Sequence, residues 1–359
     1  MKHFFFGFSP WKHPFVKPFF PEIERFIFIN PLFSKQYLEI ALKKGLDKES
    51  AVYIWGRKSF PNVEAYAKSQ GIPLYRVEDG FIRSVGLGSD LTQPYSLVVD
   101  SRGIYFDPTQ ESDLEHLLNH HDFSDEELAR VRKIMRYLTE KKLSKYNNYD
   151  TTSIDLPTDK KVVLVPGQVE DDASIRYGAD GMTNLALLQA ARQSAPDAYI
   201  IFKPHPDVLA GNRAGDIPKE EALRYCDKVV TEVSLDSVLG VADEVHTMTS
   251  LVGFEALMRG IKVHTYGMPF YAGWGLTHDV RHCARRTRTR TIEALAAATL
   301  LLYPRYIDPI SKEICEIETM LRGLEEEKKR LEQDRAYRYY TTIRNFLSRK
   351  GQMLLRLVS

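Results

Sequence analysis

Four short stretches of this chain carry side chains able to do chemistry. Glu78 and Asp79 stand side by side before Gly80 in "YRVEDGFIRS". Gln168 is followed by the acidic run Glu170-Asp171-Asp172, Lys203 and His205 flank a proline in "FKPHP", and Thr249 and Ser250 run into "LVGFEALMRG". A carboxylate can take a proton from a hydroxyl or trap a cationic centre, and a histidine or lysine can balance an anionic leaving group. A Ser or Thr just before a helix can cap it and help hold a phosphate on the following amides, with Glu255 one to two turns on to accept ribose hydroxyls. Each stretch also has a plain structural use. Ser250 can be a cap only, "KPHP" a proline-bounded strand exit, "EDD" a wet turn, and "EDG" a turn favoured by Asp-Gly. Their joint order sets them apart, since every one follows an apolar run and they fall in both halves of the chain.

Those apolar runs are the elements that must position the candidates. "HFFFGF", "RFIFIN" (25–30), "AVYIWG" (51–56), "LYRVED" (74–79) and "YSLVVD" (95–100) read as buried strands, and "SKQYLEIALKK" and "NVEAYAKSQG" as the helices between them. After the polar stretch 143–161 the alternation restarts with "VVLVPGQ" (162–168), "AYIIFKPHP" (198–206), "KVVT" (228–231), "EVHTMTS" (244–250) and "KVHTYG" (262–267). Two βα arrays predict two parallel sheets, with ligands at the carboxyl ends of the strands. The strand ends are where the candidates lie, and one cleft is expected to gather them.

The 359 residues exceed what one core usually supports, so two domains are expected. A formal net charge of +1 argues against bulk nucleic-acid binding, although a balanced total can hide a local patch. Cys226, Cys283 and Cys315 are far apart and form no CxxC pair, which fits a reducing cytoplasm and no zinc knuckle. The aromatic start is broken by prolines and basic residues too early for a signal or a membrane span.

The words around the candidates carry a resemblance. An acidic pair plus glycine in the first half and His-Pro in the second is the bipartite pattern of bacterial sialyltransferases, which use CMP-activated sugars. More specifically, "RVEDGFIRSVGLGS" (76–89), "GQVEDDASI" (167–175), "FKPHPDV" (202–208), "SLVGFEALMRG" (250–260), "YGMPFYAGWGLT" (266–277) and "LLYPRYIDP" (301–309) resemble the KpsC family. These are the β-Kdo transferases of capsule polysaccharide assembly, Kdo being 3-deoxy-manno-octulosonic acid. The resemblance covers roughly 50–310. Family members commonly carry two such modules, whereas each motif occurs once here, so a single module is expected.

The resemblance implies an α/β, GT-B-like fold: two Rossmann-like domains facing across a cleft, plus a C-terminal helical segment. Residues 1–155 would be the acceptor side and 156–305 the CMP-sugar side, with 306–359 packing back on the first domain or touching membrane. It further implies a CMP-Kdo donor, retention of configuration, and a Kdo-terminated, lysophospholipid-linked acceptor at the inner face of the cytoplasmic membrane. No metal or other cofactor is expected.

Within that frame Asp172 is the expected nucleophile, with Asp171 its rival, both close to Gln168 at the strand end. Along "LYRVED" strand alternation puts Glu78 and Asp79 on opposite faces; Glu78 is assigned to the cleft as the base, its pKa raised by lost hydration. Asp79 is then expected to accept backbone N–H bonds across the Gly80 turn. Arg83 either pairs with the donor's carboxylate or is only the ion-pair partner of the two acids. His205 as a cation, the Ser250 helix end with Thr249, and Lys203 would balance the departing CMP. Tyr266, Phe270, Tyr271 and Trp274 form either a packed loop or a sugar or cytosine platform. "RHCARRTRTR" (281–290) reads as a solvated basic face, and "GLGS" (86–89) lacks the context of a dinucleotide loop. "TIRNFLSRKGQMLLRLV" reads as a basic amphipathic segment suited to a membrane surface, or to packing or dimer contact. Three alternatives stay open: an inverting CMP-sialic-acid-type transferase, a UDP-sugar epimerase of similar fold, and a non-catalytic lipid- or polysaccharide-binding module.

Overall fold

The structure, a computed structural model, describes residues 1–31, 36–85, 92–145, 156, 159–211, 213–337, 339 and 341. "GLGS" (86–89) and the basic tail 342–358 lie outside them. Among the described residues the strands are, in chain order, β1 (Lys2–Phe6), β2 (Phe26–Ile29), β3 (Ser50–Trp55), β4 (Leu74–Asp79), β5 (Ser96–Asp100), β6 (Val162–Pro166), β7 (Tyr199–Lys203), β8 (Lys228–Val229), β9 (Glu244–Thr247), β10 (Lys262–Thr265), β11 (His278–Asp279), β12 (Pro304–Ile307) and β13 (Ile314–Cys315). They form two sheets, ordered β13-β12-β5-β4-β3-β1-β2 and β11-β10-β9-β6-β7-β8.

Every apolar run named above becomes a strand, because a parallel sheet covered on both faces needs side chains that can be buried either way. Phe4, Phe5 and Phe6 of β1 are fully buried, as are Val163, Leu164 and Val165 of β6. The helix Pro61–Gln70 starts with proline in its first turn and stops at Gly71, whose φ of 66° is the left-handed conformation that ends helices. The second sheet is parallel throughout. The first corrects the expectation of a wholly parallel sheet. β5 runs antiparallel to β4, β12 to β5 and β13 to β12. No described helix lies between β4 and β5, and without a crossover helix the return strand pairs antiparallel.

The chain divides into two compact units, and the division differs from the expected 1–155 and 156–305. The first holds Met1–Ile104, Lys145 and the described residues from Leu300 on, and the second holds Tyr105–Ser144 and the chain up to Thr299. The basic run "RHCARRTRTR" supplies the reason. Though partly exposed, it is strapped to the helix Asp113–His120. Arg285 and Arg286 pair with Glu115 at 2.7 and 3.1 Å, and the Arg286 and Glu115 side chains are only 2% and 4% exposed. Arg290 donates to the carbonyls of Leu118 and His121, and Arg288 to that of Asn119, at the carboxyl end of the helix where the dipole favours cations. These contacts bind 105–144 into the second unit.

The first unit recovers its last strands from the far end of the chain through β12. The helix Ile317–Gln333, part of the segment left open between packing back and touching membrane, packs on this unit, burying Ile317, Met320, Leu321 and Leu324, while Tyr95 donates to Glu327 at 2.8 Å. Gly323 permits the approach, since a Cβ there would lie 2.8 Å from Cδ of Pro309.

Removing one partner of a buried ion pair leaves the other charge uncompensated. Glu115→Ala is therefore expected to cost about 3–5 kcal/mol in the unfolding of the second unit. Urea denaturation followed by circular dichroism measures this, and a loss below about 1 kcal/mol would contradict the strap.

Candidate functional site

In the first unit β1, β3 and β4 run parallel, so their carboxyl ends share one edge. β4 extends through Asp79, as the reading of Glu78 required. Glu78 Oε1 accepts the Asp79 amide at 2.9 Å, and its carboxyl passes over Gly56. Gly56 has φ 54°, and a Cβ there would sit 2.8 Å from Glu78 Oε2. Burial drives the Glu78 pKa up to about 7, against the opposing pull of Lys12. Asp79 goes the other way. Burial alone would raise it, but Arg83 and Lys12 hold it down at about 2. Two adjacent carboxyls thus differ in protonation at neutral pH, the arrangement that separates an acid–base group from a fixed anion.

Arg83 settles as the ion-pair partner. Its guanidinium is 1% exposed and donates to Asp79 at 2.8 Å, to Ser84 at 2.8 Å and to the Thr92 carbonyl at 2.9 Å. Buried and directed inward, it is not presented to a substrate carboxylate. Asp79 in turn accepts this guanidinium rather than backbone N–H groups across a turn. Gly80 is required by close approach, not by positive φ, because a Cβ would fall 2.7 Å from that of Ser96. Among the described residues Asp79 Oδ1 is buried without a hydrogen-bond partner.

Three residues at this edge escaped the sequence reading. Lys12 lies with Nζ 3.2 Å from the Trp55 ring centroid and acts on both acids, burial pulling its pKa down and Asp79 and Glu78 pulling it up. Lys58 is lowered by burial in the same way, with Glu78 opposing. Arg76 fixes the loop after β3 by donating to the carbonyls of Gly56 and Lys58 at 3.1 and 3.0 Å. "SPWK" after β1 and "WGRK" after β3 are strand ends too, and the rule that found Asp79 would have found Lys12 and Lys58.

In the second unit β9, β6 and β7 are neighbours, so the loops leaving them are adjacent. Gln168 joins two of them. Its side chain donates to Thr249 Oγ1 at 3.0 Å and accepts the Thr249 amide at 2.9 Å, while Asn184 grips its backbone from both sides. Gln168 and Thr249 therefore set the loop geometry. Asp172 caps the helix Ala173–Gly178, its Oδ1 accepting the amide and hydroxyl of Ser174 at 2.9 and 2.8 Å. Asp171 is exposed and pairs with Arg213 at 3.0 Å. Ser250 caps the helix Leu251–Leu257, and Glu255 is buried within it.

His205 Nδ1 accepts the Asp207 amide at 3.1 Å and so caps the helix Pro206–Leu209. Lys203 Nζ donates to the Val233 carbonyl. The aromatic loop resolves as packing. Trp274 is fully buried with Nε1 bonded to the Phe270 carbonyl at 2.8 Å, and Tyr271 is fully buried. Tyr266 packs on the core and meets His246 at 3.0 Å. The buried Phe270, Tyr271 and Trp274 offer no open ring face as a sugar or cytosine platform, while Tyr266 is half-buried.

Two α/β units of Rossmann-like pattern, with polar side chains gathered at strand ends, define a class. The particular family follows from comparison. Residues 50–306 match the family "Capsule polysaccharide biosynthesis protein", and the chain belongs to it. It is 47% identical over 316 residues to the capsule polysaccharide modification protein LipA of Neisseria meningitidis, covering 87% of this chain and 44% of LipA. The chain thus spans less than half of that relative. It is 38% identical over 328 residues to the lipopolysaccharide-processing protein LpsZ of Rhizobium meliloti, covering 90% of this chain and 74% of LpsZ. Two solved structures of Thermosulfurimonas dismutans KpsC share the fold. The β-Kdo 2,7 transferase has a TM-score of 0.72 at 36% identity, covering 91% of this chain and all of that one. The β-Kdo 2,4 transferase has 0.74 at 32% identity, covering 89% and 97%.

The raised carboxyl of Glu78 has a signature in stability. Between about pH 4.5 and 7 the fold holds a proton that the unfolded chain has released, so this contribution is full below 4.5 and lost as pH rises through 7. Glu78→Gln should therefore gain stability relative to the unsubstituted chain on going from pH 5 to pH 8, read by urea unfolding at both. A difference that stays flat across the window would mean that Glu78 ionises like an ordinary surface carboxylate.

Proposed function

We propose that this chain is a retaining glycosyltransferase that moves β-Kdo from CMP-Kdo to a Kdo-terminated, lipid-linked acceptor in capsule polysaccharide synthesis. The observation that carries the reading is the match, along nearly the whole chain, to the two solved KpsC β-Kdo transferases.

The residues suit the steps. CMP leaves as a phosphate monoester, an anion that needs balancing charge and donors more than a proton. Lys203 and the Nε2–H of His205 supply these from the end of β7. Departure leaves an oxocarbenium-like ketose carbon, and retention calls for a carboxylate to trap it before the acceptor attacks. Asp172 fits because its cap bonds converge on Oδ1, which leaves Oδ2 for the sugar carbon. Glu78, poised near neutrality, takes the acceptor hydroxyl's proton. Lys12 and Asp79 fix its protonation, and neither is assigned a bond to substrate. No cofactor is required in this scheme. In this reading the lipid-linked acceptor is met at the membrane face; no described helix is long and apolar enough to cross a membrane.

Incubation with CMP-Kdo and a synthetic Kdo-terminated acceptor should release CMP and yield a β-linked product, identified by mass spectrometry and NMR. Asp172→Asn and Glu78→Gln should each lower kcat by about a thousandfold or more with little change in KM. An inverted product would remove Asp172 as nucleophile and leave the donor assignment standing. Absence of transfer, with UDP rather than CMP raising Tm, would overturn the reading in favour of an epimerase-like use of the fold.

A further inference from the structure

A cluster in the second unit takes no part in that scheme. β9 and β10 lie in register with Glu244 opposite Lys262 and His246 opposite His264. Glu244 and His246 share one face of β9 by strand alternation, and His264 lies beside them. Glu244 Oε2 is 3.7 Å from His246 Nε2 and 3.6 Å from His264 Nε2. Those separations are too long for hydrogen bonds. They are close to the edge of a ligand tetrahedron, roughly 3.3–3.4 Å for ligands about 2.0–2.1 Å from a metal.

A second observation points into the same space. The His246 side chain is 1% exposed, and its Nε2 is buried without a hydrogen-bond partner among the described residues. Its other nitrogen, Nδ1, sits 3.0 Å from the Tyr266 hydroxyl. With Nδ1–H donated to that oxygen, the Nε2 lone pair faces the Glu244 carboxylate, and a cation satisfies both. Second-sphere bonds of this kind fix the tautomer of ligating histidines. Lys161 holds Glu244 Oε1 at 2.6 Å, which leaves Oε2 as a single donor. His278, opposite His264 on β11, stacks on that ring at 4.7 Å and flanks the group.

We propose that Glu244, His246 and His264 bind one divalent first-row metal ion, zinc by ligand type, with water completing the site. The ion would tie β9 to β10, and Thr249 and Ser250 leave β9 directly, so its role is to stiffen the strand that presents them. Sequence spacing could not show the site, because the ligands come from different strands. The proposal stands whether or not the chain transfers Kdo.

The full chain, stripped with chelator and desalted, is titrated with Co²⁺ and with Zn²⁺. One equivalent should bind, with the visible bands of tetrahedral cobalt and a rise in Tm. His264→Ala and Glu244→Gln should abolish this stoichiometric binding, and Tyr266→Phe should weaken it about 10–100-fold. His116→Ala, in the separate partly exposed group Glu111, His116 and His120, should leave it unchanged. No binding by the folded chain, or binding lost in His116→Ala and kept in Glu244→Gln, would overturn the proposal. Should His264→Ala not fold, the Glu244→Gln and Tyr266→Phe titrations decide.

Discussion

A carboxylate withdrawn from water must meet a cation or keep its proton, and this constraint shapes both units. At Glu78 and Asp79 two adjacent acids cannot both ionise cheaply at the buried edge of a sheet. Arg83 and Lys12 secure the charge of Asp79, and Glu78 keeps its proton into the neutral range. The same rule places Arg286 on Glu115 in the second unit, where it determines which residues belong together. Without those countercharges neither the β4 edge nor the strap on the helix Asp113–His120 would hold its present form.

The strands were legible because burial on both faces selects continuous apolar runs, and "HFFF", "AVYIW" and "VVLV" permit little else. The helix end at Gly71 was legible for a local reason, its left-handed φ. The direction of β5 and the membership of β12 were not, since these depend on which edge lies open and not on the residues of the strand. The unit boundary was hidden for a similar reason. A basic run looks solvated until its partners, Glu115 and the carbonyls of Leu118 and His121, are found well over a hundred residues earlier.

Site residues were legible as positions more than as roles. Asp172, His205 and Ser250 all stand at strand ends as read, and each also caps the helix that follows. Capping and chemistry are compatible where the cap uses one atom and leaves another, as with Asp172 Oδ2 and His205 Nε2. Arg83 and Trp274 each left two uses open, because guanidinium and indole serve packing as readily as recognition. Only three-dimensional burial tells the uses apart.

The antiparallel junction of β12 with β5 carries a consequence for how the molecule is made. Tyr306 pairs with Ser96, about 200 residues earlier. As the polypeptide leaves the ribosome, the five amino-terminal strands present β5 as a naked border while the whole second unit is still being synthesised. That interval exposes unpaired backbone amides to other nascent chains. The first unit closes only when the residues from Leu300 on arrive, so products that stop before β12 would leave a sheet with an adhesive margin.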